Sequence, residues 1–374
     1  MYVRKPLLSG TGLNVAMLDR FHVPEDIAVC VNQEDMRAAV EAIFRAMGMP
    51  EADAQQAADV LMYADIRGIE SHGVSNMMRV YVAHLQEERI NPRPEPKIIH
   101  GAPAVATLDA DRGHGLVVGP KAMDMAIERA SIYGIGAITV VNGAHFGAAA
   151  YHAAMALEHD MIGMAMTTGG LTVAPVHGAE PMVGLNPLAI AVPSDQEPPF
   201  IFDAAMSSVA GNKIRLAQRL GVNVLPGWIA EKDGTPIMED RPIPQDWMML
   251  PLGGTREIGS HKGYSLAVMI EILCSVLGNE GGGPFRRRTP AHHFVAYQLS
   301  AFGDVAMFKR DMDDYLRALK NTPPAPGQER VMYAGLPEHE DEIERREKGI
   351  PYHPEVIDWF RDIMGELGLP HAFG

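Results

Sequence analysis

Three short stretches carry side chains able to do chemistry. In Asn142-Gly143-Ala144-His145-Phe146-Gly147 an imidazole sits between an apolar run (Ile135, Ala137, Ile138, Val140, Val141) and a helix-forming stretch from Ala148 to Leu157. Imidazole titrates near pH 6.5, so His145 can give or take a proton at neutral pH. A strand-to-helix junction projects such a ring into a cleft, and the helix start offers free N–H groups to an anion. The competing reading is a histidine satisfied within a loop. Arg67-Gly68-Ile69-Glu70-Ser71-His72-Gly73-Val74 supplies a second imidazole, His72. Adjacent Ser71 and His72 rarely reach nucleophile and base geometry, and no Gly-x-Ser-x-Gly accompanies them. His261-Lys262-Gly263-Tyr264 would place an ammonium and free backbone N–H groups together at a helix start, which suits a phosphate or carboxylate, or else is a solvated cap.

The elements that must position these groups follow from periodicity. Residues 1–31 lack a clear period and read as an N-terminal arm. Asn32 caps a helix carrying Met36, Val40, Ile43 and Phe44, a second helix runs from Pro50 to Ile66, and a third passes through Met78, Tyr81 and Leu85. Three prolines in 91–97 mark a lobe boundary. Ala104 to Leu108 reads as a strand, Asp109 to Gly119 as a loop, and Pro120 as the first turn of a helix ending at Gly134. Strands are expected at Ile135 to Val141, Met161 to Met166, Leu188 to Val192 and Phe200 to Phe202. Val222 to Pro251 holds four prolines and reads as a surface excursion. A long helix opens near Gly259, a loop spans Gly281 to Pro290, and amphipathic helices cover Phe308 to Lys320 and Pro354 to Leu367, with an irregular stretch around Gly335-Leu336-Pro337. Helices at both ends with strands between give an α+β (mixed α/β) class, divided as 1–31, 32–97, a central lobe 98–290, and 291–374 returning to the helical lobe.

Composition narrows the functions. A chain of 374 residues, 47% hydrophobic and 21% charged, is an ordinary globular protein, and a formal charge of -15 repels nucleic acid. Cys30 and Cys274 are too few for a disulfide framework, which points to a reducing cytoplasm. Neither a signal peptide nor a membrane span is expected. Gly113-His114-Gly115 to Gly119 superficially matches a dinucleotide-binding glycine loop. The next strand, however, ends at Asn142, where a ribose-binding acid would be wanted. His145, His152 and His159 recur every seven residues, but such a helical ladder rises about 10.5 Å, too far for one metal ion, so no metal is assigned.

Taken in order, Arg67 to Gly73, Asn142 to Gly147, Gly184-Leu185-Asn186-Pro187, Asp203-Ala204-Ala205-Met206-Ser207, His261 to Tyr264, and Pro323 to Gly327 with Glu329-Arg330 resemble the type-2 malate/L-lactate dehydrogenase family. The resemblance spans about 32 to 368. It implies a non-Rossmann nicotinamide-binding lobe with a central mixed sheet, a helical lobe built from both chain ends, a homodimer, and NAD- or NADP-dependent interconversion of a small 2-hydroxy acid and its 2-oxo acid. His145 matches the family's catalytic histidine and His72 its other functional histidine, while Ser71 and Asn142 fall to the substrate side, Asn142 as a group able to orient an imidazole. By the same analogy Thr168, Gly169, Asp203, Ala204, Ala205, His261, Lys262 and the turn at Gly335 line the cofactor channel, Asp203 facing ribose hydroxyls and Lys262 phosphate. Many members carry an arginine where this chain has Asn76, so Arg79 or another cation grips the anionic substrate, or the substrate is not an ordinary 2-hydroxy acid. The alternatives are reduction of a cyclic imine or diketo acid and, from another class, a metal-assisted hydrolase or lyase using His72, His145 and Asp203.

Overall fold

A computed structural model describes residues 23–373, apart from 25, 221, 289, 371 and 372. Residues 1–22 and 25 of the N-terminal arm lie outside the described residues. The arm's last three, Val29–Val31, form β1. Helix α1 (Gln33–Ala46) starts as the sequence predicts, Asn32 Oδ1 accepting the Glu34 N–H at 2.8 Å. Helix α2 (Glu51–Ile66) is alanine-rich and buried on several sides, and α3 (Val74–Gln86) follows the loop bearing His72.

Seven strands make the central mixed sheet. Its spatial order is β2 (Lys97–Ala102), β3 (Val105–Asp109), β4 (Ile135–Val141), β10 (His292–Gln298), β5 (Met161–Thr167), β6 (Leu188–Val192) and β7 (Phe200–Ala204). Only β3 and β4 pair in parallel; every other neighbour is antiparallel. The register sets Asp109 opposite Val141, His292 opposite both Val140 and Thr167, and Leu188 opposite both Met166 and Ala204. Consequently the ends of β3, β4, β5 and β7 and the starts of β10 and β6 share one edge. From β4 to β7 that edge crosses four strand spacings, about 19 Å.

Helix α4 (Gly115–Tyr133) and the short α5 (Ala149–Ala154) cover the sheet through an alanine-rich core with Val140, Phe146, Ala165 and Phe294. Beyond β7 come α6 (Gly211–Leu220), the hairpin β8 (Ile229–Glu231) and β9 (Trp247–Met249), and α7 (Ser260–Glu271), which continues as a π-helical turn, Ile272–Val276. The chain closes with α8 (Val305–Lys320), α9 (Leu336–Lys348), β11 (Ile350–Tyr352) and α10 (Pro354–Glu366). β11 pairs with β1, and Tyr352, Ile357 and Phe360 enter the same core as Ile43, Phe44 and Tyr81. β1, β11, α10 and the first three helices thus share one apolar interior.

Several elements depart from the sequence reading, and β2 and α6 have no counterpart in it. Helix α4 begins at Gly115, not Pro120: Gly115 packs under the His145 turn and Gly119 against the His152 ring, so both serve as close-packed helix positions. The stretch 222–251 is not a pure surface excursion: Val224, Ile229, Ile237 and Met249 are buried in a third core. Strand β10, the centre of the sheet, had no alternating pattern to reveal it, being buried over His292 to Ala296. The irregular stretch after Gly335 is mostly α9, whose polar face hid it. Among the described residues no helix is long and apolar enough to cross a membrane.

Candidate active site

Two imidazoles distant in sequence meet at this edge. The His72 and His145 rings stack with centroids 5.6 Å apart and planes 11° from parallel. Two ring contacts of about 3.5 Å would be needed to sandwich a third ring. Any ligand ring therefore lies beside the pair, not between its members. Both residues are half-buried.

Each ring is held by its Nδ1. The Ser71 hydroxyl lies 2.8 Å from His72 Nδ1, and the Tyr81 hydroxyl 2.7 Å from His145 Nδ1. The Gly147 N–H lies 3.3 Å from the same nitrogen. A base needs a lone pair on Nε2, so the working tautomer is the one whose Nδ1–H donates to the Tyr81 oxygen, which leaves Nε2 free for chemistry. Burial holds His72 down to about 4 and pushes His145 well below 6.5, helped by the neighbouring His72. Both rings are neutral at pH 7 and can accept a proton in a reaction that delivers one to them. Tyr81 is fully buried, with its edge against His114 at 4.4 Å. Tyr81→Phe removes the hydrogen bond on Nδ1. Turnover is expected to fall about tenfold, the kinetic equivalent of roughly 1.4 kcal/mol, with little change in melting temperature. Steady-state kinetics on the folded variant checks this.

The loops are fixed by carboxylates. Asp65, at the end of α2, accepts the Val74 N–H that opens α3, with both oxygens at 3.2 Å, and the Tyr352 hydroxyl at 3.0 Å. A Cβ at Gly73 would lie 1.8 Å from Asp65 Oδ1, so only glycine lets the His72 loop close over this carboxylate. Asp109 accepts from Asn142 Nδ2 and from Arg288 Nη1, each at 2.8 Å, which pins the start of the His145 turn.

Several sequence-predicted roles change. Asn142 holds Asp109, not an imidazole. Asn76 is exposed and donates to the Glu70 carbonyl at 2.6 Å, bracing its own loop. Arg79 pairs with Glu355 at 2.9 Å and covers the Trp359 ring, both on α10. Asp203 Oδ2 accepts the Ala150 N–H at 2.8 Å and so caps α5, whose own N-cap residue, Ala148, has no side-chain acceptor. Gly335 packs against Ile201 at the far half of β7, about 10 Å along the strand from Ala204. Thr168, Gly169, Ala204 and Ala205 do lie at the shared edge. His261 and Lys262 open α7, where His261 Nδ1 sits 3.0 Å from Arg256 Nη1.

Three residues of the site escaped the sequence reading: Tyr81, His114 and His292. His292 bridges Thr167 Oγ1 at 2.7 Å and the Ala144 carbonyl at 3.1 Å, and its ring stacks on Phe146. The phenol of Tyr81 could have been noticed as the one polar tip on an apolar helix face.

Buried imidazoles also govern acid stability. His114 and His292 are held down to about 3, and His152 to about 4, all by burial. Each folded pKa lies below the unfolded value of 6.5. The unfolded chain therefore binds more protons as the medium acidifies, and stability falls by up to about 1.4 kcal/mol per ring per pH unit between about pH 6.5 and 4. Asp65, pushed up to about 7 by burial, and Asp203, pushed up to about 6 by burial, work in the opposite sense as pH rises from about 4 through those values. Two carboxyls do not offset these three rings, to which His72 and His293, each held down to about 4 by burial, add in the same sense. The melting temperature is expected to drop steeply over that acid range; a flat profile by circular dichroism would contradict it.

The family model for malate/L-lactate dehydrogenase matches residues 31–361. A malate dehydrogenase of Pyrococcus abyssi is 36% identical over 363 residues, covering 94% of this chain and 99% of that protein. An L-sulfolactate dehydrogenase of Methanocaldococcus jannaschii is 35% identical, covering 90% and 96% respectively. The crystal structure of malate dehydrogenase from Entamoeba histolytica superposes with a TM-score of 0.87 at 32% identity, covering 92% of this chain and all of that one. The chain belongs to the malate/L-lactate dehydrogenase family. This dehydrogenase is accordingly an oxidoreductase acting on CH–OH groups, interconverting a 2-hydroxy acid and its 2-oxo acid, and family membership implies a nicotinamide cofactor.

Proposed function

We propose that His145 is the general acid and base of this dehydrogenase, that His72 polarises the substrate oxygen beside it, and that NAD or NADP lies along the sheet edge from Thr168 to Ala205. The observation that carries this reading is the stacked His72 and His145 pair at the strand ends. The residues present fit such a cofactor. A Cβ at Gly170 would meet nothing within 4 Å, leaving space beside the backbone at the end of β5. The opening of α7 offers Lys262, exposed, next to Arg256 for a phosphate group.

When bound, the nicotinamide accepts or supplies the hydride. In the oxidative direction His145 Nε2 takes the hydroxyl proton, and in the reductive direction the same nitrogen returns it to the developing alkoxide. Nδ1 stays on the Tyr81 hydroxyl, which keeps the ring from turning. Ser71 acts through its contact with His72 Nδ1.

The small anionic substrate is proposed to be a malate-like or sulfolactate-like 2-hydroxy acid. With Asn76 and Arg79 committed elsewhere, a cyclic imine belongs in the same trial. Absorbance at the reduced-nicotinamide band with a panel of 2-oxo acids and imines, in both nucleotides, tests the reading; neither binding nor turnover with any of them would remove it. The largely antiparallel sheet supports a non-Rossmann nicotinamide lobe over 98–290, with 32–97 and 291–374 as the helical lobe. Leu266, Met269, Ile272 and Val276 recur at helical spacing on an exposed face of α7 and its π turn, which supports a homodimer. Sedimentation equilibrium is expected to return twice the chain mass. Two free cysteines support a cytoplasmic protein.

A further inference from the structure

Gly169 is gripped at both of its backbone groups by one closed ring of hydrogen bonds. Its N–H donates to Asn186 Oδ1 at 2.9 Å. Asn186 Nδ2 donates to Glu271 Oε2 at 3.0 Å and to the Ala267 carbonyl at 2.9 Å. Glu271 Oε1 accepts from Arg286 Nε at 3.0 Å and from the Gly283 N–H at 2.8 Å. The ring closes where Arg286 Nη1 donates to the Gly169 carbonyl at 2.7 Å. Asn186 has no exposed surface, and the Glu271 and Arg286 side chains are each 4% exposed.

A buried ion pair of this kind is a poor way to gain stability, because desolvating two charges offsets most of their attraction. It is a good way to fix a backbone. Asn186 alone presents an acceptor to one side of the Gly169 peptide and passes its amide to Glu271, which in turn orients the guanidinium on the other side. The backbone here has no freedom to spare: a Cβ at Gly184 would stand 2.6 Å from three Gly169 backbone atoms. Immediately beyond the clamp, Gly170 opens onto empty space.

We propose that Asn186, Glu271 and Arg286 are positioning residues that set nicotinamide affinity by holding the Thr168-Gly169-Gly170 backbone in its binding shape, without touching the cofactor. This rests on the reading that places the cofactor at Gly169. Glu271→Gln breaks the ring while conserving size, and Glu271→Gln with Arg286→Met breaks it while leaving no buried charge unpaired. In both, the dissociation constant of the reduced nucleotide, read by direct fluorescence titration, and its KM are expected to rise about tenfold or more. At saturating nucleotide, kcat and the KM for the 2-oxo acid stay within about threefold. Amide exchange across 168–171 is expected to accelerate in both variants with no nucleotide present.

A role in stability alone predicts that the double variant binds nucleotide as the unaltered enzyme does, and that result overturns the proposal. So does unchanged amide exchange at 168–171 in either folded variant. If the unaltered enzyme itself shows no nucleotide binding in the titration, the placement of the cofactor fails and the inference falls with it, a pattern distinct from a binding enzyme with indifferent variants.

Discussion

His145→Ala is expected to lower turnover by about 100-fold to 10,000-fold, the usual worth of a positioned general acid or base, while nucleotide affinity changes little. The separation follows from where the ring sits. No described nucleotide-edge residue, from Thr168 to Ala205, bonds to His145; its partners are Tyr81 and Gly147. Alanine also strands the Tyr81 hydroxyl in the core, at a cost of about 1–3 kcal/mol, so part of any loss could come from stability. His145→Asn separates the two, because its amide can still meet the phenol but cannot shuttle a proton. Both variants should therefore be slow, and the asparagine variant should melt closer to the parent. Full turnover in either would remove His145 from the chemistry, and a large fall in nucleotide affinity would mean that the ring holds the cofactor.

Comparison of these elements with the sequence shows where local pattern is informative. Helices α1 to α3 and strands β4, β5 and β6 were legible because each is amphipathic or bounded by glycine and proline, so periodicity and punctuation agree. His72 and His145 were legible for the same reason: both occupy glycine-bounded turns beside regular elements. Strand β10 was not, since a strand covered on both faces has no alternation, and its two leading histidines look polar. His292 and His293 are nonetheless buried, each satisfied by a threonine, Thr167 and Thr139. Asp65, Asp109 and Glu271 were missed, and Asp203, read as a ribose ligand, also caps α5. Each carboxylate takes a backbone N–H or an amide from an element remote in sequence, so nothing within a window of a few residues marks it. The site is thus assembled mostly from acceptors that tertiary structure alone selects. Asn76 and Arg79 show a different difficulty, because exposed polar groups brace loops and helices as readily as they meet ligands.

Gly115→Ala is expected to damage both fold and activity, against the ordinary preference of helices. Within a helix, alanine in place of glycine gains up to about 1 kcal/mol. Here the added methyl would stand 2.3 Å from the Ala144 carbonyl oxygen and 2.6 Å from that of His145. Those are backbone atoms of the turn that aims the imidazole, and they cannot swing aside as a flexible side chain would. Overpacking of this kind costs about 1–3 kcal/mol, which outweighs the propensity gain. The turn is also held from its other side, where His292 Nε2 bonds the Ala144 carbonyl, so relief must come from displacing the His145 ring or the opening of α4. Either movement weakens the contact with Tyr81 and the stack on His72. A shift of about 1 Å in a reacting group can cost about 100-fold in rate. The expected outcome is a lower melting temperature together with a turnover loss of at least about tenfold that persists well below the melting transition. Gly119→Ala serves as the contrast, because its methyl would meet the His152 ring at 2.6 Å, a side chain and not the turn itself. That variant should lose stability while keeping more of its turnover. If Gly115→Ala instead melted higher and turned over normally, the helix and the His145 turn would not be in the tight contact on which the placement of the imidazole depends.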